Sequence, residues 1–435
     1  MKFSSTVLLK GGRVLDPSQR LDRVCDILII DGRVAEVAEG IEPPSGARVL
    51  DCQGLVVSPG FVDLHVHLRL PGDGKSETMA TGTRAAAKGG FTTILAMPNT
   101  QPPIDSASLV SFVKAVADRE AVVRVEVAAS PTKGMEGEEL CDIVSLKRAG
   151  ALALSDDGAP IQDSAVLRRV MEYAGSLGLP LLLHPEDKSL TLGGCAHEGE
   201  VSLSLGLRGM PEEAEEIGIA KILILNRKIG AKVHIQHVST SFGVDILRAA
   251  RRAGISFTCE VTPHHLTLTD ELLRSFDPDA KVNPPLRGKE HVTALREALA
   301  EGLFSAIATD HAPHALELKE VEFEEAPFGM VGLETALGLL LTKVVGEGAL
   351  DLQGLVRLLT EGPAKVLGLS DRGTLRPGAM GDAVAFDPEE EWTVKPEEFE
   401  SLSRNTPLKG WRLKGKVIHT VVGGEVVVEG GEVVA

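Results

Sequence analysis

The sequence predicts an α/β fold: a (β/α)8 TIM-like barrel carrying a small β-sandwich domain built from both termini. Three patterns lead there. The middle of the 435-residue chain alternates apolar strand candidates with helical periodicity eight times. Both ends instead read as short strands punctuated by glycine turns. The polar residues with catalytic potential fall at the carboxyl ends of the central strand candidates, where barrel enzymes gather their sites.

At the N-terminal end, strands are expected at 6–10, 13–16, 26–31, 33–38 and 48–51, with Gly11-Gly12 and Asp31-Gly32 between them. Towards the C-terminus they are expected at 382–387, 411–414, 417–422 and 425–429, with Gly423-Gly424 as a turn. The economical arrangement pairs 1–58 and 370–435 into one β-sandwich domain flanking a barrel domain of 59–369. Barrel strands are expected at 60–68, 92–97, 123–129, 151–155, 180–184, 232–238, 256–261 and 305–309. Helices are expected at 76–89, 106–118, 137–149, 163–177, 211–229, 241–253, 290–301 and 331–345. An open doubly wound sheet is the alternative. Its dinucleotide-binding form is weakened because no Gly-x-Gly-x-x-Gly follows the first strand. The acidic run 317–325 reads as a solvated loop or helix face.

Composition narrows the function. A net charge of −17 disfavours nucleic acid and anionic membrane surfaces as partners. No apolar run reaches the ~18–20 residues of a membrane span, and the N-terminus lacks a signal-peptide pattern. Five scattered cysteines without a Cys-x-x-C argue against a disulfide framework or thiolate zinc site, so a reducing cytoplasm is expected.

The most informative run is Pro-Gly-Phe-Val-Asp-Leu-His-Val-His-Leu at 59–68. As a strand it sends Val62, Leu64, Val66 and Leu68 to one face and Asp63, His65 and His67 to the other. An aliphatic outer face suits packed helices, whereas two buried imidazoles need partners. A metal supplies them better than a core does; the plainer reading is a pair of hydrogen-bonded histidines. Other strand ends add Arg69, Asn99, Asp156, Asp157, His184, His237, Asp310, His311 and His314. Imidazole and carboxylate groups at five strand ends suit a borderline divalent metal such as zinc.

Plainer readings stand beside several of these residues. One of Asp156 and Asp157 is expected to cap the following turn. His234 and His237 are three apart and should point to opposite faces, so His237, nearer the strand end, takes the ligand position and His234 a hydrogen bond elsewhere. His264 and His265 suit a rim position at least as well as a metal, and His311 a supporting role beside Asp310. His197, His291 and His419 stand outside the cluster and read as structural or exposed.

Six motifs in order carry a family resemblance. They are the 59–68 run extended to Arg69, Met-Pro-Asn-Thr (97–100), Ser-Asp-Asp-Gly (155–158), Lys-Val-Asn-Pro-Pro-Leu-Arg (281–287), Ala-Thr-Asp-His-Ala-Pro-His (308–314) and Pro-Phe-Gly (327–329). Over essentially its whole length the chain resembles the amidohydrolase superfamily, and within it the bacterial type I dihydroorotases. The resemblance implies one or two zinc ions held by His65, His67, His184, His237 and Asp310, with Asp157 bridging when two bind. Many relatives bridge their metals with a carbamylated lysine on the fourth strand. Here 152–158 contains none and Lys147 belongs to the preceding helix, which speaks against the hydantoinases and allantoinases.

The implied activity is reversible cyclisation of N-carbamoyl-L-aspartate to L-dihydroorotate in pyrimidine biosynthesis. An activated water attacks the ring carbonyl, and Asp310 carries its proton to the departing nitrogen. The substrate carboxylate falls to Arg69, Asn99 and His314, and the ring amide to Asn283 and the backbone around Phe328 and Gly329. Implied partners are a small-molecule substrate and, from the family alone, a homodimer or a complex with aspartate transcarbamoylase. A catalytically silent dihydroorotase-like scaffold for that transcarbamoylase is the alternative from another class; such relatives lose metal ligands that this chain keeps. Two departures stand out. Leu70 replaces the glutamate common after the motif arginine, and Pro185 follows His184 where a small residue is frequent, so the loops at Arg69 and His184 are where geometry should differ.

Overall fold

A computed structural model of the chain describes residues 6–435. Its centre is a parallel barrel of eight strands: β1 (Phe61–Val66), β2 (Phe91–Ala96), β3 (Arg124–Ala129), β4 (Ala153–Ser155), β5 (Leu181–Leu183), β6 (Val233–Ile235), β7 (Thr258–Val261) and β8 (Ala306–Ile307). They are hydrogen-bonded in chain order. A helix follows each: α1 (Met79–Lys88), α2 (Ala107–Glu120), α3 (Ile143–Ala149), α4 (Ser164–Leu177), α5 (Glu213–Ile229), α6 (Ser241–Arg252), α7 (Lys289–Ala300) and α8 (Ala336–Leu340), the last continuing as a π-turn over Leu341–Val345.

Local sequence explains these elements. In α4, Leu167, Val170, Met171 and Ala174 recur at three- and four-residue spacing and form the buried face. Asp163 caps its first turn by accepting from Ala165 N and Val166 N, and Gly178 ends it in the left-handed conformation at φ 68°. The strands divide their apolar residues by twos. Ile94, Val127, Leu154, Leu181, Leu183 and Ile307 pack with helix residues such as Val113, Leu146, Val170, Ile222 and Leu247. Leu95, Met97, Ala128, Ala153, Leu182, Ala306 and Ala308 form a separate cluster. The first set therefore lies under the helices and the second fills the barrel.

β1 and β8 close the barrel without a regular ladder. His67 N donates to His311 O at 2.9 Å. Asp63 completes the seam: its carboxylate accepts from Thr309 N at 3.1 Å, Thr309 Oγ1 at 2.6 Å and His65 N at 3.1 Å. Two helices that the periodicity did not reveal, α9 (Leu352–Leu359) and α10 (Glu361–Leu367), contact both β1 and β8.

The two ends of the chain meet in one nine-stranded sheet. Thr6–Asp16 is a single strand with a register shift between Leu9 and Gly12, so the glycine pair acts as an irregularity in a strand rather than a turn between two. Likewise Arg412–Val422 is continuous where two strands were expected. Val56–Pro59, not among the strands expected from the sequence, pairs antiparallel with Ala383–Phe386 and joins the terminal halves. Val7, Ile27, Ile29, Val57, Ala383, Ala385 and Val421 share its core. Gly60 links this sheet to β1 at a contact so close that a Cβ there would lie 2.2 Å from Thr92 Oγ1.

Because Asp63 satisfies three donors in a solvent-free seam, Asp63→Ala should cost about 3 kcal/mol of stability. Urea unfolding measures this; a loss below about 1 kcal/mol would show that the seam is held elsewhere.

Candidate active site

Continuing each inward series of residues by twos towards the strand's carboxyl end replaces apolar side chains by polar ones. Met97 is followed by Asn99, Ser155 by Asp157, Leu182 by His184, Ala308 by Asp310 and His65 by His67. Asp157 lies at the convergence. One of its oxygens is 3.2 Å from His65 Nε2, 3.5 Å from His237 Nε2 and 3.6 Å from His184 Nδ1. The other is 3.5 Å from His67 Nε2. Asp310 Oδ1 stands 3.0 Å from His67 Nε2 and 3.4 Å from His65 Nε2. The six residues expected to hold metal are thus brought together, all buried.

Their far sides are anchored. Glu260 Oε1 is 2.9 Å from His65 Nδ1, Asn99 Oδ1 is 2.8 Å from His67 Nδ1, and Glu186 Oε2 is 2.7 Å from His184 Nε2. Each of these oxygens is an acceptor, so each far nitrogen carries a proton, which leaves the nitrogen facing the centre as the one that would give its lone pair to a bound cation; His184 Nδ1 also lies 2.9 Å from His237 Nε2. Among the described residues, His65 Nε2 and His237 Nδ1 are buried without a hydrogen-bond partner. Converging lone pairs, two carboxylates and orphaned buried nitrogens fit a divalent cation, and the trios His65–His67–Asp310 and His65–Asp157–His237 have the spacing to hold one.

Charge in the metal-free cluster follows from the same geometry. Burial works against a charged His65, but Asp157 and Asp310 outweigh it and raise its pKa well above the ordinary value. Burial likewise opposes ionisation of Asp157 and Asp310, and the surrounding imidazoles, His65 foremost, hold both below the usual carboxylate range. His184 is raised to about 9, the penalty of burial being overcome by Asp157 and Glu186.

Several expectations resolve here. Asp156 is the capping member of its pair, accepting from Ile161 N at 2.9 Å and His184 N at 3.0 Å. The opposite-face argument for His234 and His237 fails, because His237 adopts φ 31° and leaves strand geometry. Both residues point inward, His234 deeper, where it meets Glu260 Oε2 at 2.9 Å and Thr258 Oγ1 at 2.8 Å. His311 turns to Gly332 N and Glu77. His265 contacts Thr262 Oγ1 and Pro284 O, while the buried His264 Nε2 has no partner. His197 and His291 lie beside Glu290, but Arg287 donates to His197 Nδ1 and Ser241 N to His291 Nδ1. Each of these two rings therefore carries its proton on the remaining nitrogen, which offers no lone pair. Sequence reasoning missed Glu260 and Glu186. A glutamate at an inward position of an otherwise apolar strand was the available signal for the first; nothing local marked the second.

A cavity of about 230 Å³ opens on the cluster, lined by His67, Asp157, His184 and Asp310 together with Arg69, Asn99, Asn283, His314, Phe328 and Gly329. Arg69 binds Pro313 O through Nε at 3.1 Å and lies 3.3 Å from His314 Nε2 through Nη2. Among the described residues it has no carboxylate within ion-pair distance, so its guanidinium is not held in a salt bridge at the barrel mouth. Asn99 engages the cluster with both ends of its amide, its Nδ2 donating to Asp157 Oδ2 at 3.1 Å. Asn283 Nδ2 donates to Glu186 Oε2 at 3.2 Å. Lys188, from the segment after β5, also lines the cavity and pairs with Glu186 at 2.9 Å.

A family profile described as dihydro-orotase-like matches residues 54–242. A dihydroorotase of Geobacter sp. (strain M21) is 48% identical over 98% of this chain and 100% of that protein. One of Citrifermentans bemidjiense is 49% identical over 97% of this chain and 99% of that protein. Among solved structures, the L-hydantoinase of Arthrobacter aurescens aligns with a TM-score of 0.89 at 28% identity, covering 99% of this chain and 98% of that one. The barrel and its histidine–carboxylate cluster define a protein of the amidohydrolase class. Identity of this extent narrows the class: the chain belongs to the dihydroorotase family.

His184, raised to about 9 in the metal-free site, gives a signed expectation. Its stabilising proton is fully present below the unfolded value near 6.5 and is lost as pH rises towards 9. A metal held by His184 would displace it, so apparent metal affinity should then climb through that window with proton release. Calorimetric titration in buffers of different ionisation enthalpy reads both; a flat affinity with no released protons would contradict this.

Proposed function

We propose that this chain interconverts L-dihydroorotate and N-carbamoyl-L-aspartate, with zinc at the cluster around Asp157. The observation that carries the reading is the Arg69 guanidinium, without a carboxylate partner among the described residues and opening on the same cavity as the cluster. A small ring bearing a carboxylate can be gripped there by two parallel N–H groups, with its amide towards the cluster. The nearly full-length relatives named dihydroorotase support the same substrate.

Imidazole and carboxylate donors without thiolates suit zinc. Bound here, the metal supplies Lewis-acid polarisation of the ring carbonyl and a water of lowered pKa. Asp310, which lines the cavity, takes the proton of the attacking water as the C–O bond forms. It gives that proton to the ring nitrogen as the C–N bond breaks, leaving a ureido NH2 and a carboxylic acid that releases its remaining proton to solvent as the carboxylate. Reversal of the same proton path closes the ring with loss of water. His314 is pushed down to about 3 by burial and the neighbouring Arg69 and Lys319, so at neutral pH it is an uncharged hydrogen-bonding group. Asn283 and the Phe328–Gly329 backbone supply the remaining wall for the ring amide.

Asp310→Asn should reduce kcat by about a thousandfold or more while the protein stays folded. Near-normal turnover in that variant would remove the assigned proton transfer. Arg69→Met should raise KM about tenfold or more with metal content unchanged. Steady-state kinetics on metal-analysed protein tests both, and an unchanged KM would count against carboxylate recognition.

A further inference from the structure

One wall of the cavity, Phe328 and Gly329, belongs to no helix or strand, so something other than a ladder must fix it. Gly329 sits at φ 134°, and a Cβ there would lie 2.6 Å from Ala312 Cβ and 3.0 Å from His314 Nε2. The wall is thus pressed against the His314 loop at a distance that only glycine permits.

Asn405, from the segment between Ala383–Thr393 and Arg412–Val422, ties those two loops together. Its buried amide donates to Ala312 O and Gly329 O, both at 3.0 Å, and accepts from His314 N at 3.1 Å. Its main-chain carbonyl accepts from Val331 N at 2.9 Å. Two buried lysines stitch the other side. Lys281 donates through Nζ to Phe323 O at 2.9 Å and Glu324 O at 2.8 Å, with Nζ 4.8 Å from the centre of the Phe328 ring. Its own carbonyl accepts from Gly329 N at 2.8 Å. Lys319 donates to Pro278 O at 2.9 Å and Pro327 O at 2.8 Å. Among the described residues neither ammonium has a carboxylate within ion-pair distance. All four of their hydrogen bonds end on carbonyls of the 278–281 and 323–327 segments, which lead to Asn283 and Phe328.

We propose that Asn405, Lys281 and Lys319 are positioning residues that brace the Phe328–Gly329 wall against His314 and Asn283 and so set the shape of the substrate cavity. This rests on the cavity being the dihydroorotate site proposed above. A buried amide or ammonium serving stability alone could direct its bonds anywhere. Here all three residues direct them to three segments, 278–281, 312–314 and 323–331, that lead to one side of the cavity. Such a wall binds substrate without first being ordered, and a small displacement of it weakens binding more than it weakens the proton transfer at Asp310.

The test compares wild type, Lys319→Met, Lys281→Met and Asn405→Ala, each metal-loaded and analysed for metal. KM for dihydroorotate should rise about tenfold in the variants with kcat within about threefold of wild type and metal content retained. Hydrogen exchange should accelerate at Gly329 N and Val331 N while the strand amides stay protected. Folded variants with unchanged KM, or a fall in kcat that tracks loss of metal, would overturn the inference and leave the three residues as scaffold. Wild-type protein without turnover overturns the substrate reading and this inference together. Active wild type with kinetically silent variants overturns the inference alone.

Discussion

The Asp157 carboxylate stands within 3.2–3.6 Å of imidazole nitrogens from four histidines, in a pocket almost without solvent. Taking so many ionisable groups out of water is unfavourable unless opposite charges face one another at close range. The surrounding architecture meets that condition ring by ring. Glu260, Asn99 and Glu186 hold the far nitrogens of His65, His67 and His184, and His234 steadies Glu260 from below. The cluster therefore does not float at the barrel mouth. It is the top layer of a polar column whose lower layer is a hydrogen-bonded Glu–His pair, with Leu182 level with His234 and Met97 against Gln236 beside it.

Regular strand geometry cannot by itself deliver this convergence. Three non-glycine residues at the strand ends, Arg69, His237 and Asp310, adopt positive φ of 53°, 31° and 51°. Such conformations are unfavourable for side chains with a Cβ and persist where surrounding structure over-determines them. His237 shows the gain most directly, since an undistorted strand would turn it away from His234's side. At Asp310 the surroundings that hold the distortion include the Asp63–Thr309 seam, one residue upstream, so barrel closure and site geometry are solved by the same few hydrogen bonds.

Much of this was legible in the sequence, because period-two alternation is local. The eight strand candidates correspond to the eight barrel strands, and polar residues at their carboxyl ends gave the six clustered side chains. What escaped was set by partners distant in sequence. Glu260 sits 195 residues from His65, and no local pattern selects that pairing. Gly11-Gly12 reads as a turn until Val56–Pro59 and Arg48–Asp51 are seen to pair alongside the same strand. α9 and α10 lie past the eighth strand–helix unit, where the β–α alternation no longer calls for a helix.

The terminal sheet has a further consequence for the site. Two of its strands, Ala383–Thr393 and Arg412–Val422, bracket a segment that packs along the barrel mouth. Ser401 Oγ donates to Glu77 Oε2 at 2.6 Å and Leu402 N to Glu77 Oε1 at 3.1 Å. Burial opposes ionisation of Glu77, but His311 and Ser401 hold its carboxyl below the ordinary value. Glu77 lies 3.4 Å from His311, whose backbone carbonyl bonds to His67 N. Asn405, four residues beyond Ser401, reaches the His314 loop from the same segment. Two separate hydrogen-bond routes thus run from the C-terminal chain to the residues flanking Asp310. A barrel of this kind leaves its loops at the strand ends to be ordered by something, and here the strand pair that closes the terminal sheet anchors the segment that does so.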